Sequence, residues 1–340
     1  MKVNKSNFLK AICEYDSADL SPSNLKSVFP EFSDLIDSEV KRLNEMINFE
    51  KNVVGAIHES PVISPFSTLK NKFVQNNGDT REEEATRLKR SQIYATGGSD
   101  APIAVDSLFS TNLAGVDEAG RGPLCGPVVA AAVCFKKYPF IPFVNDSKKM
   151  TAKAREFAAN IIFKKAFVGI GLVSAEKIDE INILQASFEA MKLALADLVC
   201  KVDFVLVDGN KTLSDLTIPQ KAVVKGDSKS FSIACASIIA KVTRDKILSE
   251  YDKLYPDYGF AKHKGYGTAE HIEAIKKWGL IERFHRKTFC KFVENCGDTK
   301  KDWRSHSLNA VGAIHESPAD AQCAPLRDYI GNCLPSLSLL

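Results

Sequence analysis

The chain has 340 residues, enough for one substantial domain with additions, and its apolar (45%) and charged (26%) fractions are ordinary for a globular protein. No apolar run approaches the roughly 20 residues that span a bilayer, and the stretch MKVNKSNFLKAICEYDSADL has no apolar signal region. A membrane role is therefore not expected, and a cytoplasmic location is. The net charge of +3 is too small to point to nucleic acid by itself, but Lys and Arg cluster between Lys225 and Lys291.

Taken in chain order, residues 1–52 read as a small helical region, with Glu39–Glu50 as its amphipathic helix. An insert and linker of irregular character follow over 53–112, interrupted by a charged helix at Thr80–Arg90. The octapeptide VGAIHESP occurs at 54–61 and again, unchanged, at 311–318. Two distant copies cannot stack into a solenoid, so they read as a dispersed nucleotide repeat translated in frame. The tail 293–340 reads as irregular too. The nine cysteines form no C-x-x-C pair, which favours reduced, structural thiols over disulfides or zinc. Given this plan, a shortened chain of residues 91–296 is expected to keep its activity.

Between 113 and 292 the pattern is that of a compact α/β domain. Strands are expected at Leu113–Asp117, Pro127–Phe135, Ala166–Val173, Asp203–Asp208 and Lys221–Val224. Leu184, Phe188, Met191, Leu195 and Leu198 recur at helical spacing, as do Ile233, Ala236, Ala240, Thr243 and Ile247; Thr151 is a good N-cap for a further helix. This order gives a mixed β-sheet flanked by helices, with a C-terminal helical part and irregular flanking tails.

Acidic residues fall where such a sheet ends. Asp117 and Glu118 close one strand, Asp208 closes another, and Asp227 immediately precedes a long helix. Singly, each has an ordinary explanation: a solvated turn, the turn chemistry of Asp208-Gly209-Asn210, a favourable helix dipole. Together, converging carboxylates repel one another and are costly unless cations neutralise them. All-oxygen ligation selects hard ions such as Mg²⁺ or Mn²⁺.

Five ordered segments make the reading specific. They are Ala114–Val129 (AGVDEAGRGPLCGPVV), Asn145–Lys149 (NDSKK), Val207–Gly209 (VDG), Lys225–Lys229 (KGDSK) running into Ala236–Asp245, and His263–Thr268 (HKGYGT). The stretch resembles the ribonuclease HII family in composition and order, over about Leu113 to Phe289. The resemblance implies a ribonuclease H-like fold in which Asp117, Glu118, Asp208 and Asp227 are the metal-binding catalytic acids. It further implies that Gly120-Arg121-Gly122 is the loop whose backbone reads the 2′-hydroxyl at an RNA-to-DNA junction, and that Tyr266 packs beside the junction sugar. Lys148, Lys149 and Lys229 are the candidate phosphate contacts, with Lys225, Arg244 and Lys264 behind them, although lysine runs are ordinarily solvated faces.

The activity implied is hydrolysis of the RNA strand of RNA/DNA hybrids and cleavage 5′ of single ribonucleotides in duplex DNA. It would use two Mn²⁺ or Mg²⁺ ions, leave a 3′-hydroxyl and a 5′-phosphate, and be carried out by a monomer. The rivals are the sister ribonuclease HIII, a non-cutting hybrid-binding module, and a nucleotide-binding enzyme built on the glycine turn, which lacks a Walker lysine. His263 and His285 have no metal-ligand spacing to another histidine, so no metal role is expected of them. Gly279-Leu280 and Cys235 depart from the family's pattern at positions where only stability should be affected.

Overall fold

The computed structural model describes residues 4–15, 19–58 and 111–293. The helix expected at Thr80–Arg90, the linker up to residue 110, the second copy of the repeat and the tail beyond residue 293 lie outside the described residues. The chain divides into two units, Met1–Glu50 with Asn112–Leu340, and Lys51–Thr111. No helix among the described residues is long and apolar enough to cross a membrane.

A five-stranded sheet forms the centre of the first unit. Strands β1 (Leu113–Ala119), β2 (Val128–Cys134), β3 (Phe167–Val173), β4 (Phe204–Asp208) and β5 (Gln220–Val223) lie in the order β3-β2-β1-β4-β5. The β1–β2 and β2–β3 pairs are antiparallel; β1–β4 and β4–β5 are parallel. Every residue of β2 is buried, as an apolar strand covered on both faces requires. Its side chains alternate between two cores. Val129, Ala131 and Val133 face a cluster with α6 (Phe231–Leu254) and α4 (Ala152–Lys165). Ala130, Ala132 and Cys134 face one with α5 (Ala175–Ala196), a helix interrupted at Asn182. Alternation on β1 sends Ala114 and Val116 toward α5, and Gly115 and Asp117 toward α6. Gly115 permits that approach, since a Cβ there would lie 2.3 Å from the backbone nitrogen of Ile233.

The N-terminal helices are α1 (Lys5–Glu14), α2 (Pro22–Val28) and α3 (Ser33–His58). Phe8, Ile12, Leu25, Phe32 and Ile36 form one cluster with Phe143, and Leu43 and Met46 join the α6 core. Glu50 of α3 inserts a buried carboxylate at the start of α6. It accepts hydrogen bonds from the Ser230 and Ser232 hydroxyls, from the Ser232 backbone N–H at 2.7 Å and from the Tyr138 hydroxyl. A chain beginning at residue 91 would lack this acceptor and the apolar side chains of α1–α3 that pack against the core. Helix α3 also runs to His58, so the first five residues of VGAIHESP are helical. Without a polar face at helical spacing, that segment gives no periodic signal.

Candidate active site

The parallel register pairs Val116 of β1 with Val207 of β4. The next residue on each strand is an acid, so Asp117 and Asp208 lie side by side where the β1–β4 pairing ends. Asp208 is held by the chain that returns from β5, its Oδ1 accepting the Gly226 N–H at 2.7 Å. Gly226 opens the short 3-10 turn Gly226–Ser228 that carries Asp227. Lys225 enters this turn with φ +55°, and Ser230 then caps α6 by accepting the Ile233 N–H. Glu118 follows Asp117 directly and pairs with Arg121 at 3.3 Å.

Electrostatics mark the cluster as unfinished. Burial pushes the Asp117 carboxyl well above the usual carboxylate range, and the charges of Glu118 and Asp208 push it further. Burial also raises Glu118, against the nearby Arg121 guanidinium, with Asp208 adding to the rise. Asp227 is raised by burial, Asp146 and Asp208, while Lys148 and Lys149 oppose this. Four oxygen-donor groups that repel one another in a partly dry site fit hard divalent cations, whose charge would reverse every one of these shifts.

Next to the acids, the turn from Gly120 to Pro127 is held from behind by two buried arginines. Arg286 donates to the carbonyls of Gly120, Arg121, Pro123 and Gly126, and Arg244 to those of Cys125, Pro127 and Lys264. Both side chains are almost wholly inaccessible, at 0% and 1% exposure. Gly120 sits at φ +99°, and a Cβ there would lie 2.2 Å from the Arg244 Nε, so no other residue fits. Arg121 and Gly122 remain exposed on the outer side of the turn. A Cβ on Gly122 would lie 3.6 Å from the Tyr266 ring, and that ring is 44% exposed. The glycine turn thus follows directly on the acids of β1 and meets Tyr266 at Gly122.

The lysines separate into two groups. Lys148 and Lys149, on the turn Ser147–Lys149, and Lys229, just after Asp227, are exposed. Lys264 instead donates to the Ser249 hydroxyl at 2.9 Å, and the buried Arg244 spends its donors on carbonyls. Residue order alone does not reveal Ser237, whose hydroxyl lies 2.9 Å from that of Ser147 and tempers the rise of the Asp117 carboxyl. Nor does it reveal the buried service of Arg244 and Arg286, whose neighbours in the chain are polar or charged. Asp146 is a further acid near the cluster, occupied with the Lys148 N–H at 2.9 Å. Of the departures, Cys235 is fully buried, and the Gly279 carbonyl accepts the Tyr258 hydroxyl at 2.8 Å.

Comparison with known proteins identifies the family. The ribonuclease HII family model matches residues 114–292. A ribonuclease HII of Acetivibrio thermocellus is 59% identical over 180 residues, 53% of this chain and 70% of that protein. A ribonuclease HII of Caldanaerobacter subterraneus subsp. tengcongensis is 57% identical over 182 residues, 53% of this chain and 75% of that protein. Among solved structures, the ribonuclease H2 of Pyrococcus horikoshii OT3 is 28% identical, covers 54% of this chain and 98% of its own, and has a TM-score of 0.45. On the sequence matches, the chain belongs to the ribonuclease HII family, endonucleases of the ribonuclease H class.

Proposed function

We propose that the chain cleaves duplex DNA on the 5′ side of an embedded ribonucleotide, and the RNA strand of RNA/DNA hybrids, leaving a 3′-hydroxyl and a 5′-phosphate. The observation that carries this reading is the contiguity of two devices. Asp117 and Glu118 end β1, and two residues later begins a glycine turn whose outer face meets the Tyr266 ring. Asp117, Glu118, Asp208 and Asp227 would hold two divalent ions, Mn²⁺ or Mg²⁺. The chemistry such ions supply is activation of the attacking water and charge relief at the departing 3′-oxygen.

The remaining roles belong to the chain's own groups. The Gly226 N–H and the Glu118 N–H fix the directions of Asp208 and Asp117. The backbone of Gly120-Arg121-Gly122 approaches the ribose and reads its 2′-hydroxyl, which DNA lacks. Tyr266 packs against the sugar on the far side of the junction. Lys148, Lys149 and Lys229 face phosphates and add affinity without sequence preference. One chain provides every one of these groups, in keeping with a monomer.

The test is metal-dependent cleavage of a labelled duplex with one ribonucleotide, beside a long hybrid and an all-DNA duplex. A single cut 5′ of the ribonucleotide is expected, with none in the all-DNA duplex. Cleavage of the long hybrid alone would refute junction recognition. Full activity in Asp208→Asn would refute the assignment of the acids.

A further inference from the structure

Three histidines with no role in the proposed chemistry lie buried behind the loop that carries Tyr266. His263 is 8% exposed, His271 0% and His285 3%. The rings of His263 and His271 stack with centroids 4.4 Å apart. Cys125, His271 and His285 place ligand atoms within 4.8 Å of one another, so a metal cluster is the first idea to test. The hydrogen bonds argue against it.

Four of the six ring nitrogens face a main-chain partner of fixed character. His285 Nδ1 accepts the Ile281 N–H at 2.9 Å, so in the neutral ring the proton sits on Nε2. His271 Nδ1 lies 3.0 Å from the Tyr266 carbonyl, which can only accept, so this ring carries its proton on Nδ1. The two Nε2 atoms are 3.2 Å apart, and one is a donor while the other is a lone pair. The result is a single ordered line, from the Ile281 N–H through His285 and His271 to the Tyr266 carbonyl. His263 is fixed in the same way, donating from Nε2 to the Tyr258 carbonyl at 2.7 Å and accepting the Gly265 N–H at Nδ1, 3.1 Å away. Metal binding through His285 Nε2 would need a proton on Nδ1, opposite an N–H that also donates. The Cys125 thiol is pushed up to about 12 by burial and stays protonated. Burial lowers His271 to about 4 and His285 to about 3, in keeping with neutral rings.

We infer that His271, oriented by His285, is a positioning residue that fixes Tyr266 through its main-chain carbonyl and so sets the preference for a lone ribonucleotide over a long hybrid. The inference rests on the reading of Tyr266 as the junction contact. The loop Gly265–Thr268 has its Gly265 N–H held by His263 and its Tyr266 carbonyl by His271, while the tyrosine ring itself stays outside. Freed of these anchors, the ring would shift relative to Gly122, and displacements near 1 Å cost about 10²-fold in well-oriented sites. A long hybrid offers ribose at every register and depends less on this one contact.

The experiment compares the full chain with His271→Leu, His271→Asn and Tyr266→Ala on both substrates, with kcat and KM resolved and folding followed by thermal melting. For a lone ribonucleotide, His271→Leu should lose at least about tenfold in kcat, with a smaller loss on the long hybrid. His271→Asn, which keeps a donor near the Nδ1 position, should recover most of it. Equal losses on the two substrates, tracking thermal stability, would reduce His271 to a structural residue and overturn the inference. A loss in Tyr266→Ala without one in His271→Leu would overturn the inference and leave the tyrosine reading standing. An unchanged Tyr266→Ala would remove the tyrosine reading, and the inference with it. Should His271→Leu fail to fold, imidazole ¹⁵N spectra of the unaltered chain decide. Protons at Nδ1 of His271 and at Nε2 of His263 and His285 are expected, and the opposite tautomer at His271 would refute the relay.

Discussion

Glu50 and Asp117 are both carboxylates buried in the same unit, on elements that pack against α6, and burial raises the pKa of each. Their neighbours are opposite in kind. Around Glu50 stand hydroxyls and a backbone N–H, from Ser230, Ser232 and Tyr138, all donating. Around Asp117 stand Glu118 and Asp208, with the Glu118 N–H donating to it. The first arrangement is complete as it stands and contributes to the fold. The second is destabilising without a cation, and proteins keep such arrangements where chemistry needs them. The difference between a structural acid and one proposed to hold a metal therefore lies in what surrounds the oxygens, not in how deeply they are buried.

Substituting each acid should break this symmetry in opposite directions. Asp117→Asn is expected to lose on the order of 10³-fold or more in cleavage, about 4 kcal/mol of barrier, because the ion-holding charge is gone. The same change removes a repelling charge, so the melting temperature should rise by a few degrees. A fall in melting temperature would show that the cluster is not strained. Glu50→Leu should do the reverse. It leaves several buried donors unmatched and is expected to cost about 4 kcal/mol in denaturant unfolding, while the fraction still folded keeps near-normal kcat. If it lost kcat without losing stability, Glu50 would belong to the active site.

Protonation sharpens the contrast further. A buried carboxyl with a raised pKa makes the fold gain stability as pH falls through that pKa; a buried histidine with a lowered pKa does the opposite. His271, lowered to about 4, and His285, lowered to about 3, are neutral in the fold and protonated in the unfolded chain below the ordinary 6.5. Their contribution is constant above about pH 6.5 and is lost as pH falls from there toward 4, on the order of 3 kcal/mol for His271. The groups facing them are His263, Cys125, Tyr258 and the Tyr266 carbonyl, none of them an acid. Measuring unfolding of the chain against His271→Asn cancels the carboxylates, and the gap between the two should close on acidification. A gap that did not change between pH 6.5 and 4 would mean that the ring is already charged or exposed.

How far the sequence could reach follows from the same physics. All five strands and the main helices were legible, because fully buried strands read as apolar runs and helices as a 3.6-residue rhythm. The acids were legible as a set, since strand ends in such a sheet converge and Asp208 and Asp227 flank turn residues. Whether Asp117 or Glu118 is the more deeply buried was not, because that depends on which face of β1 meets α6. Arg244 looked like a phosphate contact because a guanidinium is ordinarily exposed; only the fold brings it beneath Cys125 and Pro127. Ser237 reads as a small helical residue until α6 lies against β1. Glu50 is 182 residues from Ser232, and no local pattern announces a contact at that separation.

The smallest expected effect belongs to the exposed lysines, and it extends the comparison from the acids to the charges opposite them. Lys148 and Lys149 stand near Asp227 and lower its carboxyl against Asp146, yet both are open to solvent. A solvated cation that meets a phosphate acts mainly by releasing counterions. Lys148→Ala should therefore weaken cleavage by only about threefold, by raising KM, and reduce the salt slope of binding by about one. Both substrates should suffer equally, since phosphates are common to them. A loss confined to the single-ribonucleotide duplex would place Lys148 at the junction, whereas a change in the pH profile without a change in salt slope would make it a partner of Asp227. Either result would move this lysine from the class of solvated charges, to which its exposure assigns it, into the class of Asp117.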